Sequence, residues 1–452
     1  MYRIVNPIQS HQEFRGSVQL AALQELLSDE EIDGICQEFG HKWRERELPP
    51  AVTARSMVYR ALNSDRSIPA VLADLAAGGA VSSATLTDSA WCQARSRLPL
   101  VVWVELLQRS ARRLRRLLGK EHLFFGRPVY LVDGSTLSMP DEPELVETFG
   151  YAPGKHGPSR FPVARITFIT LAGTEAVWDY RMDDYYASED GQFHDMWHTL
   201  PAGSICLFDR HFSSFYNLAK LRHRHIGVLC PLHQRRDPQK LIAEGRKIGK
   251  DEWIVPLKLA PQLRKEYDDP SLPEVLWVRL IRVPWRRGEK RKRLWLVSTL
   301  MDPVRYPRKE LIRLYRQRWG IETRIGSIKV TLELTVLRSK RAANVRREVA
   351  AAIVGHNLVW TLMHQAAEQT ETPADRISFA GAVKAVLSFS TCLRHAPPPQ
   401  RHHLYKLMLE HIASNTNRYR PGRMEPRRVK RDPVRYPFLT TTREKARQEC
   451  LS

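Results

Sequence analysis

The chain has 452 residues, of which 43% are hydrophobic and 27% charged. That balance is ordinary for a folded protein, and the length suits two to four domains of roughly 100–200 residues. Its 71 Lys and Arg against 49 Asp and Glu leave a net charge of +22, which points to a polyanionic partner. Nucleic acid comes first, ahead of a membrane surface or an acidic protein. The longest apolar stretch, Val349 to Val354, falls short of the roughly 18 residues of a membrane span. Asn6, Gln9, His11 and Glu13 stand where a secretion signal would be apolar, so a cytoplasmic protein is expected. The six cysteines are scattered with no CxxC pair, which argues against a disulfide framework or a Cys-rich zinc site.

In chain order, residues 1–125 read as helical. Ala51–Leu75 mixes apolar and basic residues at helical spacing, and Asp88–Leu118 carries Arg95, Arg97, Arg109, Arg112, Arg113, Arg115 and Arg116. That basic content fits either a DNA-binding helical domain or a solvated face of an ordinary bundle. Residues 126–233 change pattern, with strand candidates at Pro128–Val132, Arg165–Leu171, Ala176–Arg181, Ser204–Phe208 and Ile226–Cys230, and a helix at Ser213–Arg224. Such an order indicates a mixed α/β sheet. Residues 234–300 read as a β-rich insertion, with a short helix over Lys240–Ile248 and strands at Glu252–Leu257, Val275–Val283 and Lys292–Thr299. Helices return in residues 301–395, over Arg308–Val336 and Val345–Ala367. Residues 396–452 read as a basic, turn-rich tail containing Arg418, Arg420, Arg423, Arg427, Arg428, Lys430 and Arg431.

Two strand candidates end in aspartate: Val129-Tyr-Leu-Val-Asp133 and Ile205-Cys-Leu-Phe-Asp209, the latter followed by Arg210. In an α/β sheet, chemistry gathers at strand ends. Carboxylates delivered there can hold Mg²⁺, a hard cation that keeps open positions for water or phosphate. Each Asp could equally cap the turn that follows it. The helix from Arg308 supplies a third acid. At roughly 100° per residue, Tyr315, Arg318, Glu322 and Lys329 fall within an arc of about 60°. Leu314, Ile321, Ile325, Ile328 and Leu332 form the adjacent apolar flank. An i,i+4 ion pair between Arg318 and Glu322 accounts for part of this stripe, but not for Tyr315 and Lys329.

Together these residues carry a resemblance. Tyr315-x2-Arg318-x3-Glu322-x6-Lys329 matches without a gap the Y-R-E-K signature of the insertion-sequence-four family of DDE transposases. Asp133-Gly-Ser-Thr-Leu-Ser-Met-Pro-Asp141 resembles that family's D-G-T-T-L…P-D region, with Ser135 in place of Thr. Phe149-Gly150 and Phe161-Pro162 follow as they do there. Phe208-Asp-Arg-His-Phe212 is similar to its D-R-x-F element, with His211 where Gly is common. Trp295-Leu-Val-Ser-Thr-Leu300 and Ala94-Arg95-x-Arg97-Leu98 also resemble family segments.

The resemblance implies a ribonuclease-H-like catalytic core interrupted by a β-rich insertion between the second Asp and the Glu, and preceded by an all-helical N-terminal domain. It implies a Mg²⁺- or Mn²⁺-dependent DNA cleavage and strand-transfer enzyme, with Asp133, Asp209 and Glu322 as metal ligands and Asp133 bridging. Tyr315, Arg318, Lys329 and Arg210 would contact DNA, and Trp277, Trp285 or Trp295 could stack on a flipped base. Each Trp could equally be a β-core packing residue. Expected partners are double-stranded DNA (terminal inverted repeats and target) and a second copy of the chain in a homodimeric synaptic complex, in a bacterial, nucleoid-associated setting without membrane. Two alternatives are a ribonuclease-H-like nuclease without strand transfer and an inactive, transposase-derived regulator. His194 and His198 at i,i+4, and Cys230 with His233, are weaker candidate metal pairs.

Overall fold

The computed structural model describes residues 27–44, 46–63, 67–77, 81, 86–154, 157–287, 290–317, 337–417 and 448–449. The N-terminal part is helical: α1 (Asp29–Glu38), α2 (Pro50–Leu62), α3 (Ile68–Ala77), α4 (Asp88–Arg97) and α5 (Leu100–Arg116). Local chemistry sets their starts. The Ser28 hydroxyl accepts from Glu31 N at 3.1 Å and that of Thr87 from Ala90 N at 3.2 Å, while Pro50 opens α2. The stretch read as one helix from Ala51 to Leu75 is two, α2 and α3. In α5, Val102, Trp103, Leu106, Leu107, Ser110, Ala111 and Leu114 repeat at helical spacing and are all buried.

The sheet begins with β1 (Val129–Ser138), which leads through α6 (Pro143–Phe149) to the hairpin β2 (Val163–Leu171) and β3 (Ala176–Asp183). Then follow α7 (Glu189–His194), β4 (Ile205–Phe208), α8 (Phe215–His223) and β5 (Gly227–Pro231). β1 pairs antiparallel with β2 and parallel with β4, and β4 pairs parallel with β5. These five strands, in the order β3-β2-β1-β4-β5, form the mixed α/β core.

The next segment contains α9 (Pro238–Ala243), β6 (Arg246–Gly249), β7 (Glu252–Lys258), α10 (Pro261–Tyr267), β8 (Val275–Arg287) and β9 (Lys290–Ser298). Part of the stretch expected to be helical up to Ile248 is therefore strand β6, and α10 was not foreseen. β9 pairs antiparallel with β5, so the four strands continue the core sheet, which is nine-stranded among the described residues.

The chain then forms α11 (Arg308–Gln317), α12 (Ala342–Thr370), α13 (Phe379–His395) and α14 (Pro398–Ser414). The tail expected to be turn-rich thus starts with a helix. Met408, Leu409, Ile412 and Ala413 of α14 are buried in the helical core, a spacing that its many basic residues hid. The long α12 runs through the centre. Its Asn357 amide accepts from Val177 N (2.8 Å) and donates to Val177 O and Ser110 Oγ, both at 3.0 Å, fastening the helix to β3 and to α5.

Side-chain alternation sorts the sheet into two faces. Leu131, Ile166, Phe168, Leu207 and Leu229 pack with the N-terminal helices, α11 and α12. Tyr130, Val132, Cys206, Phe208 and Val228 pack with α7 and α8.

Candidate active site

Val132 of β1 lies opposite Phe208 of β4. Continuing that parallel register places Asp133 beside Asp209, on strands about 4.8 Å apart. Both follow by two residues a leucine on the helix-covered face, Leu131 and Leu207 respectively, so both carboxylates project to that face. Leu311, Leu314 and Tyr315 of α11 are buried in the same core as those two leucines. The helix that opens the signature therefore packs on the face to which the two aspartates point. Glu322, Arg318 and Lys329 lie outside the described residues, as does the basic run Arg418–Arg431.

β1 does not end at Asp133, as its apolar run suggested. It continues to Ser138, paired there with β2, while β4 stops at Phe208. Among the described residues no strand pairs with the other edge of β1 beyond Asp133, and the Asp209 turn sits beside it. Both aspartates are half-buried. Asp133 Oδ1 accepts from Gly134 N at 3.0 Å within β1, and Asp209 Oδ1 from His211 N at 2.7 Å in the turn after β4, which orients each carboxylate by its own backbone segment.

Positive charge gathers at this end of β4 and β5. Burial, and the neighbouring Arg235, Arg236, Arg210 and His211, hold His233 below its ordinary pKa. Arg210 is exposed and next to Asp209. Cys230 is fully buried, and burial, with Cys206 and Asp209 adding, pushes its thiol well up. Its side chain packs in the core with α7 and α8. His194 and His198 do not share a helix turn: α7 ends at His194, which packs its ring on Trp197 and Tyr216, and His198 is exposed.

The three tryptophans are dispersed. The register Pro231–Leu296–Ile281 puts Ile281 in the row of the aspartates, and Trp277 lies four residues from it toward the opposite end, roughly 13 Å away. There Trp277 is exposed and its carbonyl accepts from Arg222 Nη1 at 2.8 Å. Trp295 packs on Trp253 (ring centroids 5.8 Å apart) and against the face away from the aspartates. Trp285 lies in β8 opposite Lys292, beyond that row at the aspartates' end.

Among the described residues no group of three or more His, Cys, Asp or Glu forms a metal cluster. The two aspartates, on neighbouring strands, supply the hard oxygen donors that a divalent cation takes.

Residues 124–358, just over half of the chain, match the family model of the transposase DDE domain. The chain belongs to the DDE transposase family. It is 25% identical over 427 residues to the transposase InsG for insertion sequence element IS4 of Escherichia coli (strain K12), covering 92% of this chain and 93% of that protein. This long match agrees with the resemblance carried by the signature. A piggyBac transposase, solved as a synaptic complex with hairpin DNA, aligns over 90% of this chain and 87% of its own, at a TM-score of 0.44 and 13% identity. As a DDE transposase the protein is a DNA-cutting and strand-transferring enzyme that uses divalent metal. No helix among the described residues is long and apolar enough to cross a membrane.

Two residues that contribute to the site's geometry were missed in the sequence. The carboxylate of Glu189 sits 2.4 Å from where a Cβ on Gly134 would be, and Arg165 Nη1 pairs with Glu189 at 3.2 Å. The only signal was a glycine directly after Asp133.

Proposed function

We propose that Asp133, Asp209 and Glu322 hold two Mg²⁺ or Mn²⁺ ions with which the transposase cuts the ends of its mobile element and joins them to target DNA. The observation that carries this reading is the alignment of the two aspartates on the face where α11 packs. Bound divalent ions would supply activation of the attacking hydroxyl and stabilisation of the leaving oxygen. The chain's own residues do the rest. Gly134 N and His211 N orient the two aspartates. Asp133 is assigned as the bridging ligand. Arg318 and Lys329 clamp backbone phosphates, Tyr315 hydrogen-bonds one, and Arg210 adds charge beside Asp209. Residues 1–125 form the DNA-binding helical domain, followed by core segments 126–233 and 301–395 around the insertion 234–300, and by the basic segment 396–452. Terminal inverted repeats and target duplex are the substrates, two copies of the chain form the synaptic complex, and the working place is the bacterial nucleoid.

The test is a labelled duplex carrying the element's own end, incubated with the protein in Mg²⁺, Mn²⁺ or EDTA beside Asp133→Ala. Metal-dependent nicking at the boundary, lost in the variant, supports the reading. Cleavage that survives Asp133→Ala overturns the assignment.

A further inference from the structure

Behind the two aspartates, on the opposite face of the sheet, lies α7. Its first two residues reach the two carboxylate-bearing segments separately. Gly134 points its missing side chain at Glu189, whose carboxylate occupies the space. Glu189 is held there by Arg165, which also donates through Nε to Tyr185 O at 3.0 Å and stacks its guanidinium on the Tyr185 ring. Asp190 accepts from the Asn217 amide, which also donates to Phe212 O at 2.8 Å, three residues beyond Asp209. Asn217 is fully buried. Phe193 of the same helix packs edge-on against Phe208 (5.9 Å) and Phe212 (5.7 Å), the residues that bracket Asp209. Gln192 completes the anchor, accepting from Thr167 Oγ1 at 2.7 Å and donating to Arg165 O at 3.2 Å.

We infer that Glu189 and Asp190 are positioning residues that set the separation of Asp133 and Asp209. Neither reaches the face where the aspartates project; each acts through one backbone segment. Glu189 backs the strand at Gly134, whose N–H orients Asp133. Asp190, through Asn217, holds the Phe212 carbonyl and with it the turn that orients Asp209. Arg165, on the same face as α7, fixes the Glu189 carboxylate in that place. This inference rests on the reading that Asp133 and Asp209 bind metal.

The experiment measures Mn²⁺ binding by electron paramagnetic resonance on full-length protein bound to the element-end duplex. Glu189→Ala, Asp190→Ala, the milder Glu189→Gln and Asp190→Asn, and Asp133→Asn are compared. The Ala variants should raise the half-saturating Mn²⁺ concentration about tenfold, with duplex affinity in EDTA unchanged. Gly134→Ala should act like Glu189→Ala, because its methyl displaces the same carboxylate, and combining the two should add little further. Should an Ala variant fail to fold, the Gln and Asn variants carry the test with a smaller shift in the same direction. Unchanged Mn²⁺ binding in all Glu189 and Asp190 variants, with Asp133→Asn impaired, overturns the positioning role. Unchanged binding in Asp133→Asn overturns the underlying metal site instead.

Discussion

Arg279 on β8 offers a sharp test of how the insertion supports α11. Its side chain is fully buried and forms an ion pair with Glu252 of β7, itself only 7% exposed. The other arm donates from Nη1 to Tyr306 O at 2.7 Å, with Leu300 O and Asp302 O at 3.3 and 3.4 Å. Those three carbonyls belong to the connection that enters α11, so one side chain fastens the extra strands to the base of the signature helix. Arg279→Met leaves a buried carboxylate without its cation, a loss of roughly 3–5 kcal/mol. It also leaves the Tyr306 carbonyl without a charged donor, a further cost of about 1.5–3 kcal/mol if the two effects were independent. Adding Glu252→Leu removes the unpaired carboxylate and should restore most of the stability. The carbonyls stay undonated, so DNA cleavage should recover less than stability does. Urea unfolding followed by tryptophan fluorescence, with cleavage assayed on the same variants, measures both. A single variant as stable as the parent, or a double variant as unstable as the single, refutes the reasoning.

Four further outcomes follow from the same geometry. Asp209→Asn should lower cleavage by several kcal/mol of barrier, about 10³-fold, while duplex binding in EDTA persists; single-turnover cleavage and a gel-shift titration check this. His356 is fully buried, its pKa lowered from 6.5 to about 4 by burial. The unfolded chain therefore binds the extra proton between those values, so His356 contributes stability that is present above pH 6.5 and lost as pH falls toward 4. His356→Gln should flatten that slope, worth up to about 3 kcal/mol, in urea titrations from pH 7 to 4. Arg97→Ala with Arg116→Ala, two exposed arginines of the N-terminal helices, should weaken sequence-specific end binding at unchanged stability, and unaffected specific binding in a competition assay would reject a DNA-reading role for those helices. Trp277→Ala should leave cleavage and any base flipping reported by 2-aminopurine unchanged, because Trp277 sits at the far end of its strand from the aspartates.

The sheet was largely legible because its strands are short apolar runs bounded by turn residues. Arg165–Leu171 and Ala176–Arg181 differ from the observed strands by two residues at most. What failed was the reading of polar or charged segments whose structure depends on distant partners. β6, Arg-Lys-Ile-Gly, has no apolar alternation of its own and is a strand through pairing with β7. The helix Pro398–Ser414 was hidden among basic residues, though Met408, Leu409 and Ile412 face the core at helical spacing. The arginines of α5 show the same difficulty. Arg113 pairs with Glu31 at 2.7 Å and Arg109 with Glu105 at 2.9 Å, and Arg115 lies over Trp178. Arg113 and Arg115 thus tie α5 to neighbouring elements, a role that no charge count separates from DNA binding.

The site divides along a similar line. Asp133 and Asp209 could be found in the sequence because each closes an apolar run, and two such runs in parallel register must bring their next residues side by side. Glu189 and Asp190 could not, because their importance comes from a helix that crosses behind both strands. A carboxylate followed by glycine carries a weak version of that information. Gly134 lies in β1 with no positive φ, so the turn freedom of glycine is not what the position uses. It uses the absent side chain, whose place the Glu189 carboxylate takes. A glycine inside a regular strand, next to a candidate site carboxylate, therefore marks close approach from the other face.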